Sequence, residues 1–365
     1  MIIRGVNVFP SQIEAVLLAE GFSENYQIKL GRQNNNDTFD VNVEMNPDKF
    51  TDTVSGITEL DKITSGWQKS DLIIIAARPA MGKTAFVLSM AKNIAVNFKR
   101  PVAMFSLEMS NVQLVNRLIM NVCEIEGDKI KNGRLTKQEW NKMESKINEL
   151  MGAPIYIDDT PGLSIFELQS KARKLVREKK VELIIIDYLQ LMNANGANFG
   201  SREQEVSIIS RRLKWIAKEL DIPVIALSQL NRNVEKRDSS NSNVEGKKPQ
   251  LSDLRESGAI EQDADMVCFI HRPEYYRIYN DDKTGKDLRG LGQIIVAKHR
   301  NGATDEVWMR FIGKYAKFQN ENEGFEEDIY DTPAAQAQPA TTFQSKMNSS
   351  SDPHGAQLDD DIAPF

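Results

Sequence analysis

The residues best suited to chemistry lie in one short run, Ala77-Arg-Pro-Ala-Met-Gly-Lys83-Thr84. It stands directly between an unbroken apolar stretch, Asp71-Leu-Ile-Ile-Ile-Ala-Ala77, and a segment with helical spacing. A turn in that position is suited to holding phosphate. The loop residues Arg78, Pro79, Ala80, Met81 and Gly82 are expected to surround the phosphate oxygens. Backbone N–H groups and the helix N-terminus supply fixed positive dipoles there. Gly82 has no Cβ and lets the backbone come close. Lys83 would reach the β- and γ-phosphates of a nucleotide, and the Thr84 hydroxyl would bind Mg²⁺. The strict motif has glycine where this chain has Ala77.

Further polar residues close other apolar runs. Asp187 ends Leu-Ile-Ile-Ile-Asp, where a carboxylate holds the nucleotide's Mg²⁺ through water; a strand-ending turn aspartate is the plainer alternative. Glu108, in Phe105-Ser-Leu-Glu-Met-Ser110, is expected to end a strand beside the phosphate loop and to activate the attacking water. Taken alone, it reads equally as a capping or surface glutamate. Gln229 ends a third run and is placed to sense the γ-phosphate. Four such residues at the same ends of several strands would form one pocket.

The elements that must position them alternate. Strands are expected at 102–107, 154–157, 181–187, 222–227, 266–271, 293–298 and 306–311, with a hairpin near Asn301-Gly302. Helical spacing covers 83–98, 110–121, 136–150, 164–179 and 202–220. This alternation predicts an α/β fold, a mainly parallel sheet with helices on both faces. Ligands of such sheets bind at the carboxyl ends of the strands. Residues 231–250 form a long polar loop without apolar periodicity. From about Thr332 the chain is small and polar, the composition of a disordered tail.

The charge is unevenly spread. The 365 residues hold 46 Lys+Arg and 52 Asp+Glu, a net charge of −6. Residues 1–48 carry 3 basic and 7 acidic side chains, and residues 319–365 carry 1 and 10. The stretch between them is therefore net basic, so the total does not argue against a nucleic-acid partner. Two cysteines, Cys123 and Cys268, exclude a disulfide scaffold and point to a reducing compartment. Three scattered histidines do not make a Cys/His zinc cluster. The apolar runs are too short to span a bilayer, and the N-terminus does not read as a signal peptide.

Several segments together resemble a known family. Gly56-Ile-Thr-Glu-Leu-Asp61, the phosphate loop, Phe-Ser-Leu-Glu-Met-Ser110, Ile-Ile-Asp-Tyr-Leu-Gln190 and Leu251-Ser-Asp-Leu-Arg-Glu-Ser-Gly-Ala-Ile-Glu-Gln-Asp-Ala-Asp265 are similar, in order and spacing, to the RecA-like motor domain of DnaB-type replicative helicases. That family's phosphate loop also has alanine at the first position. The resemblance covers roughly 52–318. It implies a RecA-like P-loop ATPase core in a bacterial cytoplasmic, nucleoid-associated hexamer that moves 5′ to 3′ on single-stranded DNA and unwinds the replication fork. ATP would sit between subunits, with Lys298 and Arg300 supplied by the neighbour. Arg255, Glu256 and Gly258 match the loop that holds DNA in the channel, and 193–214, with Arg202, Arg211, Arg212 and Lys214, is a second channel candidate. The related recombination and repair ATPases share the core, and an inactive motor remnant acting as a binding protein is the remaining alternative.

The N-terminus departs from that pattern. Ile3-Arg-Gly-Val-Asn-Val-Phe-Pro-Ser-Gln-Ile-Glu-Ala-Val-Leu-Leu18, Tyr26-Gln-Ile and Asp40-Val-Asn-Val-Glu44 resemble part of the C-terminal domain of phenylacetate–CoA ligase. The expected domains are thus a ligase-tail-like fragment at 1–48 forming a small αβ appendage, a motor at 49–318, and an acidic tail at 319–365. The family's N-terminal domain and linker helix are not seen in the sequence, which implies a weakened hexamer and an absent docking site for primase or a loader. The tip, Leu358-Asp-Asp-Asp-Ile-Ala-Pro-Phe365, resembles the acidic Phe-ended tails of bacterial single-stranded-DNA-binding proteins, interrupted by Ala363.

Overall fold

The computed structural model describes residues 2–6, 26–33, 38–45, 53–194, 201–230 and 244–323. Three N-terminal strands, β1 (Ile2–Val6), β2 (Tyr26–Gln33) and β3 (Thr38–Met45), form an antiparallel sheet in the order β1-β3-β2. The helix expected from Pro10, and the tail from Thr332, lie outside the described residues.

The main body opens on α1 (Thr58–Thr64), which the sequence reading did not foresee. Its Asp61 carboxylate accepts the N–H groups of Ser55 (2.7 Å) and Gly56 (3.0 Å), fixing the chain's entry. Gly56 has φ +77°, and a Cβ there would stand 2.5 Å from that of Asn93. Next come β4 (Leu72–Ala77), α2 (Lys83–Lys92) continued by a π-turn Asn93–Asn97, and β5 (Val102–Ser106). Helices α3 (Asn111–Cys123) and α5 (Lys137–Met151) each start at a reciprocal cap, Ser110 with Gln113 and Thr136 with Glu139. The short α4 (Gly127–Lys131) lies between them. The chain continues through β6 (Ile155–Asp158), α6 (Ile165–Lys179), β7 (Leu183–Asp187), α7 (Arg202–Leu220) and β8 (Val224–Gln229). It ends with α8 (Val244–Lys247), a 3₁₀ turn Leu251–Ser257, α9 (Gly258–Asp263), β9 (Met266–His271), β10 (Leu291–His299), β11 (Glu306–Ile312) and β12 (Lys317–Asn320).

The nine-stranded sheet runs β12-β11-β10-β9-β4-β8-β7-β5-β6. From β9 to β6 all neighbours are parallel, while β9 to β12 is an antiparallel meander. Alternate residues of the apolar runs point to opposite faces, as the period of two requires. Ile73 and Ile75 pack with Phe86, Met90 and Leu118, whereas Leu72 and Ile74 pack with Leu168, Ile209 and Leu213. Helices therefore cover both faces, and the runs are apolar throughout.

Two expectations need correction. β5 is not beside the phosphate-loop strand, because α2 carries the chain three places away and β7 and β8 later fill the gap. The strand expected at 222–227 runs from Val224 to Gln229: Pro223 precedes it as an acceptor for Ile184, and Gln229 pairs with Ala77.

The foot of β4 holds a buried charge network. The Lys214 ammonium bonds the Asp265 carboxylate, donates to Ser70 O at 2.8 Å, and lies 3.7 Å from Asp71. Burial, with the Asp265 charge second, pushes the Asp71 carboxyl from its ordinary 3.8 up to about 6, against the pull of Lys214. Between those values the folded chain keeps a proton that the unfolded chain releases. The stability this proton contributes is complete below pH 4 and lost as pH rises through 6. Relative to Asp71→Asn, which cannot ionise, the native chain should lose ~1–2 kcal/mol of stability from pH 4 to 7, allowing for solvent screening. Urea unfolding of both proteins at pH 4.5 and 7 measures this; an unchanging difference would refute it.

Candidate active site

The phosphate loop turns sharply between β4 and α2. Ala80 and Gly82 both have positive φ (+64° and +93°), and Gly82 caps the helix. A Cβ on Gly82 would approach the Phe318 ring to 3.1 Å, so the position is closed in space as well as in conformation. The Lys83 ammonium lies inside this turn and donates to Ala77 O at 3.2 Å. Burial holds its pKa down, opposed by the charges of Asp187 and Glu108.

The Thr84 hydroxyl donates to the Asp187 carboxylate at 2.8 Å, joining the start of α2 to the end of β7. Asp187 is 1% exposed, and burial raises its carboxyl pKa against the Thr84 hydrogen bond and the Lys83 charge. Two hard oxygen donors converge here next to a lysine, which fits a nucleotide-borne Mg²⁺. Glu108 sits just past β5, exposed, and its charge is felt by Lys83, Asp187 and Tyr188. It therefore reaches the site across β7 rather than from a strand beside the loop. Gln229 ends β8 opposite Ala77 with its side chain exposed.

Three contributors had no assigned role in the sequence reading. Gln190 clamps the end of β8, donating to Ser228 Oγ at 2.8 Å and accepting from the Gln229 N–H at 3.3 Å. Arg272, just past β9, donates to Ala80 O at 3.3 Å and lies 3.9 Å over the Phe311 ring. Phe311 in turn packs on Phe318, with ring centroids 4.7 Å apart. An Arg-Pro pair after a strand reads only as a turn, and β12 was not foreseen, so nothing in the sequence brought these groups together. Arg78, expected at the phosphates, turns away: its buried guanidinium donates to Leu230 O at 3.2 Å and ties the loop to the end of β8.

Lys298 and Arg300 stand at the other end of the sheet. His299 pairs with Met266, which pairs with Ile73, four residues before Ala77. That is about 13 Å along a strand, so they do not reach their own chain's phosphate loop. Lys298 donates to the carbonyls of Glu261 and Ala264, and Arg300 to Gln262 O and the Asp265 carboxylate. Arg255 and Glu256 lie in the 3₁₀ turn and Gly258 opens α9, directly before those carbonyls. Of the second channel candidate, residues 195–200 lie outside the described residues, and three of the four named cations make contacts within the chain. Lys214 belongs to the Asp71–Asp265 network, and Arg202 bonds Glu205 and the carbonyls of Gln190 and Met192. Arg212 lies over the rings of Trp215 and Phe166.

A cleft of about 810 Å³ between α1, β11 and the residues after β12 shares no residue with the phosphate loop, and its lining includes Glu59, Asp305, Glu306, Glu321 and Glu323. Such acidic walls do not suit a triphosphate. Among the described residues, no helix is long and apolar enough to cross a membrane.

Comparison with known proteins matches residues 53–320 to the DnaB-like helicase C-terminal domain. Residues 5–79 match the AMP-binding enzyme C-terminal domain, a minor part of the chain. The chain is 47% identical over 293 residues to the replicative DNA helicase DnaB of Geobacillus stearothermophilus, covering 80% of this chain and 62% of that protein. It is 45% identical to the replicative DNA helicase DnaC of Bacillus subtilis (strain 168), covering 76% and 58%. It thus spans about three fifths of the length of these relatives. Among solved structures, an isolated ATPase domain is similar at a TM-score of 0.68 and 36% identity, covering 87% of this chain and 99% of that one. A DnaB-like replicative helicase studied for its interactions with primase is similar at 0.66 and 41%, covering 74% and 62%. The phosphate loop, the carboxylates facing it and these likenesses agree, and the chain belongs to the DnaB-like helicase C-terminal domain family.

Proposed function

We propose that the chain is the motor of a replicative helicase: it hydrolyses ATP to move 5′ to 3′ along single-stranded DNA and to unwind the duplex ahead. The observation that carries this reading is the split of its chemical groups. Lys83, Thr84, Asp187, Glu108 and Gln229 gather at the carboxyl ends of β4, β5, β7 and β8, while Lys298 and Arg300 stand at the opposite end of the sheet. Such a molecule completes its site only with a second copy, as in a ring, and a hexamer is the assembly we infer.

In this reading the phosphate loop and Lys83 hold the triphosphate, and Glu108 takes the proton of the attacking water. Thr84 and, through water, Asp187 would hold Mg²⁺, which supplies charge neutralisation at the phosphates when bound. Gln229 senses the γ-phosphate, and Gln190 ties that strand end to β7. Arg300 and Lys298 of the neighbour meet the charge that develops on the transferred phosphoryl. The backbone at Arg255, Glu256 and Gly258 carries the DNA without reading its sequence, which makes binding salt-sensitive. The motor is taken as 49–318, with 1–48 and 319–365 as appended segments; the work it does belongs at the bacterial nucleoid.

Arg272, stacked on Phe311, presents a planar guanidinium beside the loop, suited to stacking on the nucleobase. Arg272→Ala should raise the KM for ATP about tenfold with kcat changed far less, since the interaction is made in ground and transition states alike. An unchanged KM in steady-state ATP hydrolysis would place the base elsewhere.

Unwinding of forks with a 5′ or a 3′ single-stranded tail tests the function. Strand separation of the 5′-tailed fork alone is expected. ATP-dependent strand pairing without unwinding would favour a recombination ATPase instead.

A further inference from the structure

Asp265 occupies an unusual position for a residue that touches neither expected ligand. It is 4% exposed and joins three parts of the molecule. Its backbone N–H donates to Leu72 O at 2.9 Å, and its Oδ2 accepts the Leu72 N–H at 2.8 Å, anchoring it to the foot of the phosphate-loop strand. The same oxygen accepts Lys214 from α7. Its Oδ1 accepts Arg300 Nη1 at 3.1 Å, and its carbonyl accepts the Arg300 backbone N–H at 2.9 Å. The Arg300 side chain is 46% exposed, so the guanidinium is held by its own chain and still accessible to a second molecule. Arg300 and Lys298 also take the carbonyls of Gln262, Glu261 and Ala264, at the end of the helix that Gly258 begins.

We infer that Asp265 is a positioning residue: it fixes Arg300 at the angle from which it enters the neighbouring subunit's phosphate site, and it makes α9 and Arg300 move as one piece. This rests on the reading of Arg300 as the cation supplied in trans. The physical reasons are local. A long arginine on a hairpin end samples many rotamers, and a two-point hold on carboxylate and carbonyls removes most of that freedom before the neighbour is met. Because the hold is anchored to Leu72, it is referenced to the rigid central sheet rather than to the hairpin itself. Only α9 and Ala264 separate Asp265 from the turn containing Arg255 and Glu256, so a displacement of that turn by DNA is carried to Arg300 through hydrogen bonds already made.

A double-mutant cycle on ATP hydrolysis tests this, with Asp265→Asn, Arg300→Ala and the pair, each assayed with and without single-stranded DNA. The amide keeps the shape of the carboxylate and weakens its hold on the guanidinium. Asp265→Asn should lower kcat about 10- to 100-fold, the cost of misplacing a reacting group by about an ångström, with the KM for ATP little changed. It should also reduce the stimulation by DNA. Added to Arg300→Ala, it should cost nothing further, because Asp265 acts through Arg300. Lys214→Met serves as the structural control: it loosens the same buried network and should lower the melting temperature comparably while leaving kcat within a few-fold. If Asp265→Asn does not fold, Asp265→Glu, which keeps the charge and shifts it by one methylene, takes its place in the cycle. Additive losses, or equal losses of kcat in Lys214→Met, would overturn the inference. A native kcat in Arg300→Ala would instead overturn the reading of Arg300 on which it stands.

Discussion

Replacing Lys83 with alanine removes ATP turnover, with kcat expected to fall by at least ~10²–10³-fold, the loss found when a preorganised charge-stabilising donor is deleted. Lys83 is the cation within the phosphate loop, and burial already disfavours its charge. It is kept there by Asp187 and Glu108, whose charges oppose that shift. Without it, two carboxylates would face a triphosphate with no cation of the loop between them. Among the described residues its hydrogen bond goes to Ala77 O, so the fold should survive, with a stability change within about 1 kcal/mol. Lys83→Arg should fail almost as fully, because a planar five-donor fork does not replace a compact ammonium inside this turn. Phosphate release alongside thermal melting separates lost chemistry from lost folding; a Lys83→Ala chain that turns over ATP at the native rate would show that this loop is not the site.

Arg300→Ala should be at least as severe, with kcat lowered by ~10³–10⁵-fold, the contribution of an arginine supplied to a phosphoryl-transfer site. Nucleotide affinity should change little, since in this reading Arg300 meets charge that develops only as the phosphoryl is transferred. The separation of Arg300 from its own chain's phosphate loop gives the prediction its sharper form. Arg300→Ala and Lys83→Ala chains, each inactive, should regain turnover when mixed. Some interfaces then join an intact Lys83 in one copy to an intact Arg300 in the next. A mixture that stays as inactive as its components would argue for a site completed within one chain. Arg300 acting in cis would need a rearrangement of about the length of a strand, which the β9–β10 pairing does not allow.

The sequence made the centre of the main body legible for a simple reason. Strands covered on both faces are apolar at every position, so β4, β7 and β9 stand out as unbroken runs, and their polar ends mark the site. Lys83, Thr84 and Asp187 were found on that signal, and the structure brings them together. Glu108 is singled out too, although its strand is expected in the wrong place; chain order does not reveal which strands a crossover leaves room for. What stayed hidden depends on partners remote in sequence. β12 is four residues long, three of them polar, and it is recognisable only as the strand that pairs with β11. With it went Phe318, and so the aromatic floor beneath Gly82 and the setting of Arg272. Arg78 was assigned to phosphate by its place in the motif, but Leu230, 152 positions away, takes its guanidinium. Lys214 and Arg202 belong to the second channel candidate, and each has an acidic partner, Asp265 and Glu205. A count of basic residues cannot tell a paired lysine from one available to DNA, and the charge of the middle segment therefore overstates the cations free to meet it.

The most direct test of the motor is the rate of ATP hydrolysis by the native chain with Mg²⁺, measured with and without single-stranded DNA. Turnover that rises on adding DNA, and whose DNA-dependent part fades as salt weakens the phosphate contacts, is the expected result. A near-zero rate, indifferent to DNA and equal to that of Lys83→Ala, would contradict it and leave a motor fold that no longer does motor chemistry.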